Sequence, residues 1–290
     1  MSFWDYLILN QTQRTFKKAL RSLKAKHYQE ALNLINEVIT RKPDYYLFHF
    51  VRGTAHQRLQ KRDAALRDYD EALRLKGNHA GSHFNRGLTY YENKEFKRAL
   101  DDFSAAIDLK YDAFAARALT HAEMCNTARA LSDIEEAVRR KPSDAQVRLM
   151  QAMVDRRLGM IKEALADLET ALNLDSECKF AHNLKAWLLA TSERSEFRDG
   201  RRAVEHAIKA KGNDAHPHPG IIGTLAAAYA EAGQYEQAIQ WATYFLENNP
   251  PEENVEAARR RLELYRQGKP YHEPIGTFET VRDNRLEQPN

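Results

Sequence analysis

The 290-residue sequence predicts an all-α solenoid of tandem antiparallel helix pairs, closed by a carboxy-terminal capping helix. One observation is a spacing of small residues. Ala19–Ala31–Val38, Gly53–Ala65–Ala72, Gly87–Ala99–Ala106, Ala118–Ala130–Ala137, Ala152–Ala164–Ala171, Ala186–Ala203–Ala210 and Ala226–Ala238–Phe245 repeat with a period near 34. Steps of twelve and then seven residues suit two helices that cross closely, because only small side chains fit at a crossing. A second observation is the residue four places after the central Ala: Ile35, Tyr69, Phe103, Ile134 and Leu168 are large and apolar. A third is punctuation, with Pro43, Pro142 and Pro250 each five residues beyond the last small or apolar position.

Taken in order, residues 1–11 form a short apolar segment, in which Ser2 and Asp5 resemble a capping box ahead of Phe3, Trp4, Leu7 and Ile8. Seven repeats follow over 12–252, at about 12–45, 46–79, 80–113, 111–144, 145–178, 179–217 and 219–252. Polar turns at Gln60–Asp63, Glu92–Lys94 and Glu231–Gln234 separate the two helices of a repeat. Lys42-Pro-Asp44, Lys76-Gly-Asn78 and Lys141-Pro-Ser-Asp144 stop one repeat and offer Asp, Asn or Ser to cap the next. The step from Gly87 to Ala118 is 31 residues, about three short, which predicts a tilt of the fourth repeat. In the sixth repeat Ala186 to Ala203 is 17, which inserts about five residues within Thr191–Gly200 at the turn edge. Residues 253–267 read as the capping helix, with Val255, Ala258, Leu262 and Tyr265 on one stripe and Glu256 four residues before Arg260. Residues 268–290, with Pro270, Pro274 and Pro289, read as an extended mobile tail.

Composition narrows the function class. There are 44 basic and 41 acidic residues, a mixed surface that does not call for nucleic acid. No run of 18 apolar residues is present to span a membrane, and the first ten residues lack the basic region and cleavage site of a secretory signal. Cys125 and Cys178 stand apart without metal-ligand spacing, so no disulfide framework, metal site or cofactor is expected, and a reducing, cytoplasmic setting is. His216-Pro-His218-Pro reads as a plain loop. No phosphate loop, GxGxxG, HExxH, GxSxG or kinase motif occurs, so no catalytic residues are expected.

The repeated residues resemble the tetratricopeptide repeat family over roughly residues 12–252, most clearly in the third repeat, with Gly87, Tyr90, Tyr91, Phe96, Ala99, Phe103 and Ala106 in register. The segment from Trp187 through Gly233 looks like a carboxy-terminal repeat pair common in bacterial members. The resemblance implies a right-handed superhelix whose first helices line a concave, ligand-binding face. On this chain the inward positions are then Phe16, Leu20, Phe50, Thr54, Phe84, Leu88, Tyr91, Leu119, Leu149, Met153, Asn183 and Trp187. They form an apolar groove suited to an apolar peptide or helix, with Phe50, Phe84, Leu88 and Trp187 as anchors. The Lys and Asn pattern by which some members clamp chaperone tails is absent from these positions apart from Asn85.

Arg52, Arg86 and Arg117 precede the small residue of three successive repeats, and Asp68, Asp102 and Asp133 follow sixteen residues later. Across antiparallel helices that offset predicts a ladder of partly buried ion pairs, continued by Asp167 opposite Gln151. The function expected is a non-catalytic scaffold for a protein or peptide partner. The alternatives are binding of RNA or another polyanion through basic helix faces, among them Arg139–Lys141, Arg201-Arg202 and Arg259–Arg261, and an architectural subunit that self-associates through Phe3–Leu9.

Overall fold

A computed structural model describes residues 3–248 and 252–273, with the side chains of 3–9 and 253 left aside. Ser2 and residues 274–290 lie outside the described residues. The chain is all-helical there: α1 (Phe3–Lys24), α2 (Tyr28–Arg41), α3 (Tyr46–Arg58), α4 (Arg62–Leu75), α5 (Ala80–Glu92), α6 (Phe96–Asp108), α7 (Phe114–Glu123), α8 (Thr127–Arg140), α9 (Ala145–Arg157), α10 (Ile161–Leu174), α11 (Lys179–Thr191), α12 (Gly200–Lys211), α13 (Pro219–Glu231), α14 (Tyr235–Glu247) and α15 (Glu252–Arg266). The segment set apart at 1–11 is continuous with α1 from Phe3 onward.

The helices divide into two compact units, Met1–Met124 and Cys125–Asn290, at the turn between α7 and α8. In the first unit α1 packs on α2, α3 on α4 and α5 on α6, each pair leaning on the next. In the second, α9 packs on α10, α11 on α12 and α13 on α14, and α15 closes against α14.

Small residues occupy the crossings for a steric reason. A Cβ on Gly53 would lie 2.8 Å from the Tyr69 ring, and one on Gly87 would lie 2.8 Å from the Phe103 ring. Ile35, Tyr69, Phe103, Ile134 and Leu168, which fill the adjacent sites, are buried, and each such side chain stabilises its pair by about 1.5–3 kcal/mol. Within a repeat the turn passes through one left-handed residue, seven after the small one: Lys26, Gln60, Lys94, Cys125, Gly159 and Gly233.

Caps between repeats follow the sequence expectation in part. Asp144 accepts a hydrogen bond from the Gln146 amide at the start of α9. At α3 and α5 the cap position falls one residue beyond Asp44 and Asn78, on Tyr45 and His79. His79 caps α5 by accepting from the Ser82 amide at 3.2 Å. His218, in the His-Pro loop, caps α13 in the same way.

The insertion in the sixth repeat is a short 3-10 turn, Ser195–Phe197, after which Asp199 caps α12. Arg198 gathers the loop by donating to the carbonyls of Ser192 (2.9 Å) and Glu193 (2.6 Å). The loop leads into a very close approach: a Cβ on Gly200 would lie 2.5 Å from backbone atoms of Glu231 and Ala232, where α13 ends.

Candidate binding face

The second and third helix pairs carry a polar node at the crossing. Arg52 on α3 donates twice to Asp68 on α4, from Nε at 2.9 Å and from Nη2 at 2.6 Å, and Nη1 reaches Asn36 on α2. Arg86 on α5 repeats this with Asp102 on α6 at 2.8 and 2.7 Å, while Nη1 reaches back 2.7 Å to Asp70 on α4. Burial works against the Arg86 charge, but Asp102 and Asp70 outweigh it and raise its pKa, so the guanidinium stays protonated. Each arginine thus joins its own pair to the preceding one. In α7, Arg117 donates to Ser104. Ser104 is thirteen residues back where Asp70 and Asn36 are sixteen back from their arginines, so the three-residue shortening shifts the register by that amount. Arg117 is half-buried on α7, and Asp133 is buried on α8.

A histidine three residues before the cation belongs to the node, a feature absent from the sequence expectations. His49, His83 and His182 each bond through Nε2 to the carbonyl six residues earlier, of Pro43 (2.7 Å), Gly77 (3.1 Å) and Ser176 (2.9 Å). His83 also meets Asp102 at 2.9 Å. The signal was a fixed offset, His-x-x-Arg twice and His-x-x-Lys once.

The fifth and sixth pairs alter the node. Gln151 takes the arginine position and Arg148 the histidine position, so Arg148 bonds Gln151 at 3.1 Å and lies 3.7 Å from Asp167. Asp167 therefore faces Arg148, one helical turn before Gln151. Asp155, buried in α9, hydrogen bonds with Asp167; burial and this neighbour push it up to about 8, so it carries a proton at pH 7. In the sixth pair buried Lys185 donates to Glu169, and His206 stands where a carboxylate would be, 2.8 Å from His182. Burial, with Lys185 beside it, lowers His206 to about 4, leaving it neutral.

The first helices α3, α5 and α7 present the expected groove residues in the first unit. Phe50 lies against His79 (4.8 Å between ring centres), Phe84 against Tyr111 (4.9 Å) and Phe16 against Phe48 (4.8 Å). Phe16, Phe50, Phe84, Leu88 and Tyr91 are half-buried, and Leu20 is exposed. Polar groups thread the same face, since Asn85 donates to Thr54 at 3.2 Å and Tyr91 to Glu123 at 3.3 Å. Leu119 and Leu149 are buried, 8% and 6% exposed, and Leu149 sits in the core beneath α9, so these two offer a ligand little surface. Met153 and Asn183 are half-buried.

In the second unit Trp187 is half-buried and meets the residues that follow α15. Trp187 on α11 faces Tyr271, with ring centres 6.4 Å apart, and the Arg261 guanidinium lies 5.7 Å from both rings. Residues 268–273, expected to belong to a mobile tail, are held by named contacts. His272 Nε2 is 2.8 Å from Glu231, whose other oxygen accepts from Arg198 at 2.9 Å. The Glu273 amide donates to the Thr191 carbonyl at 2.7 Å, and its carboxylate lies 3.8 Å from Arg156. The physical reason is that α15 ends at a left-handed Gly268 and turns the chain back onto α13, α11 and α9.

Among the described residues no helix is long and apolar enough to cross a membrane, and no group of three or more His, Cys, Asp or Glu is arranged to hold a metal. Of the basic clusters, Arg139 and Arg140 pair with Glu136, Arg201 with Glu205 and Arg260 with Glu256.

Residues 50–114 match the tetratricopeptide repeat family model. A comparison with curated proteins finds no match. A tetratricopeptide repeat protein from Parabacteroides merdae is similar in structure, with a TM-score of 0.65 at 16% identity, over 89% of this chain and 99% of that one. The APC/C hetero-tetramer Cut9–Hcn1 gives 0.67 at 13% identity, over 80% of this chain and 45% of the other, so this chain spans less than half of that one. Yeast Tom70 gives 0.60 at 15% identity, over 96% of this chain and 68% of that one. At such identities the likeness is one of fold. Residues 50–114 thus match the tetratricopeptide repeat, and the structural likeness extends that fold of paired helices over most of the chain.

Proposed function

We propose that the chain is a non-catalytic scaffold that binds a protein or peptide partner on the first-helix face of its first unit. The observation that carries this is the half-buried row Phe50, Phe84 and Leu88, apolar surface on rigid helices beside the polar pairs Asn85–Thr54 and Tyr91–Glu123. Rigid aromatic anchors gain contact area at little conformational cost, which favours capture of an apolar peptide or helix. On this reading the Arg52–Asp68 and Arg86–Asp102 pairs hold the helices rather than the ligand, because Asp68 and Asp102 are buried and already doubly bonded. Pairing within the basic clusters argues against a phosphate-tracking surface. A cytoplasmic, reducing setting suits free Cys125, which is exposed.

The test is selection of binding peptides from a display library on the full chain, followed by titration against wild type and the double variant Phe84→Asp, Leu88→Asp. Binding that is lost in the variant at unchanged helix content, and changes little with salt, supports the reading. Retained binding sinks the groove, and affinity that falls steeply with salt assigns the surface to a polyanion.

A further inference from the structure

We infer that the first-helix face of the second unit is a separate peptide-binding site, occupied by the chain's own Lys269–Glu273, and that its external ligand is an extended segment carrying an aromatic residue followed two places later by a carboxylate. This inference does not rest on Phe84 and Leu88.

Consecutive residues of the strap are read by different chemistry. Tyr271 lies beside Trp187, and Arg261 sits to one side at 5.7 Å from each ring centre, within cation–π reach of both. His272 reaches Glu231, which Arg198 fixes from the opposite side. Glu273 donates its amide to the carbonyl of Thr191, the last residue of α11, and offers its carboxylate to Arg156. An amide contact there saturates one of the carbonyls that a helix leaves open at its carboxy end. The partners come from the first helices α9, α11 and α13, from α15 and from the inserted loop. The insertion is part of the site, because Arg198 lies within it and orients Glu231.

The strap is held lightly. His272 and Glu273 keep 31% and 33% of their side-chain surface exposed, and Arg156 keeps 31%. A weak contact stays filled when it is tethered, since a short connection supplies an effective concentration of about 1 mM. A free peptide that binds as the strap does must compete with that concentration, so an intrinsic dissociation constant well below about 1 mM is raised to about 1 mM in wild type. Disabling the strap uncovers the intrinsic value.

The probe is a fluorescein-labelled peptide of residues 267–276, titrated by anisotropy into full-length wild type and into full-length Tyr271→Ala, Glu273→Ala. The expected result is binding at least about tenfold tighter to the variant, lost again when Trp187→Ala or Arg156→Glu is added, and lost for a probe with Ala at the Tyr and Glu positions. Equal binding to wild type and variant, or no binding to either, overturns the inference. Hydrogen exchange guards against variants that fold poorly: excess unlabelled peptide should speed exchange of the wild type's own Glu273 amide, and unchanged exchange is a second contradicting result. Loss of strap competition with capture through Phe84 and Leu88 intact defeats this inference alone, and the reverse outcome defeats the scaffold reading of the first unit alone.

Discussion

The third and sixth helix pairs are built on one plan and diverge at the turn. In the third, a Cβ on Gly87 would overlap the Phe103 ring, Arg86 is gripped by two carboxylates, and a single left-handed Lys94 makes the turn. In the sixth, Ala186 replaces the glycine, Lys185 keeps one carboxylate, and the lengthened turn is tied by Arg198 to Glu231 of the next pair. The regular pair reaches back to its predecessor through Arg86 and leaves Phe84 and Leu88 half-buried. The interrupted pair spends its extra residues on reaching a neighbour, and its Trp187 is met by Tyr271. A repeat is therefore specialised through its turn, where added length does not disturb the crossing.

The substitution that breaks this contrast most severely is Gly200→Ala. Its Cβ would sit 2.5 Å from the α13 backbone, which cannot yield as a side chain could. We expect a loss of about 3 kcal/mol, read as a fall in the denaturation midpoint, with the Glu273 amide losing protection at the same time. Gly87→Ala meets only the Phe103 ring edge and should cost less.

Next comes the node. Asp102→Ala strands Arg86 on the half-exposed Asp70, and should cost about 3 kcal/mol in chemical denaturation. Lys185→Met, in the pair whose second carboxylate is already replaced by neutral His206, should cost less, because Glu169 is largely solvated when freed. Equal losses at the two sites would erase the distinction between them.

The fifth pair supplies a pH test. Asp155 is held up to about 8 by burial and Asp167. A carboxyl whose folded pKa is raised favours folding below its unfolded pKa and loses that advantage as pH rises through the folded value. Asp155→Asn should match wild type near pH 4 and be more stable above pH 8, by roughly 5 kcal/mol at most. A gap that shrinks with rising pH would reverse the assignment. The smallest effect belongs to the turns: Lys94→Gly, at φ 62°, should add about 0.5 kcal/mol, seen as a small rise in melting temperature.

Much of the fold was legible because repetition multiplies a weak signal. A small residue every 34 positions says little once, but in tandem with buried Ile35, Tyr69, Phe103, Ile134 and Leu168 it marks every crossing. The sixteen-residue Arg-to-Asp offset did not carry the second acceptor Asp70, which belongs to the preceding pair, or His83, whose fixed offset lay unread. Leu149 sits one helical turn from exposed Gln146, and Leu119 one turn from half-buried Ala115 and Glu123, so a small rotation of a helix separates face from core. The strap was illegible for a different reason. Tyr271 and Trp187 are 84 positions apart, Tyr271 lies beyond the last repeat where no period runs, and the turn at Gly268 brings them together.

Under the two proposals the units present unlike first-helix faces, one open to a partner and one occupied by the chain itself. Carbene footprinting of the full chain, wild type against Tyr271→Ala, measures this most directly. The predicted result is that labelling of Trp187 rises in the variant while labelling of Phe84 and Leu88 stays as in wild type. Trp187 labelled equally in both proteins would contradict it.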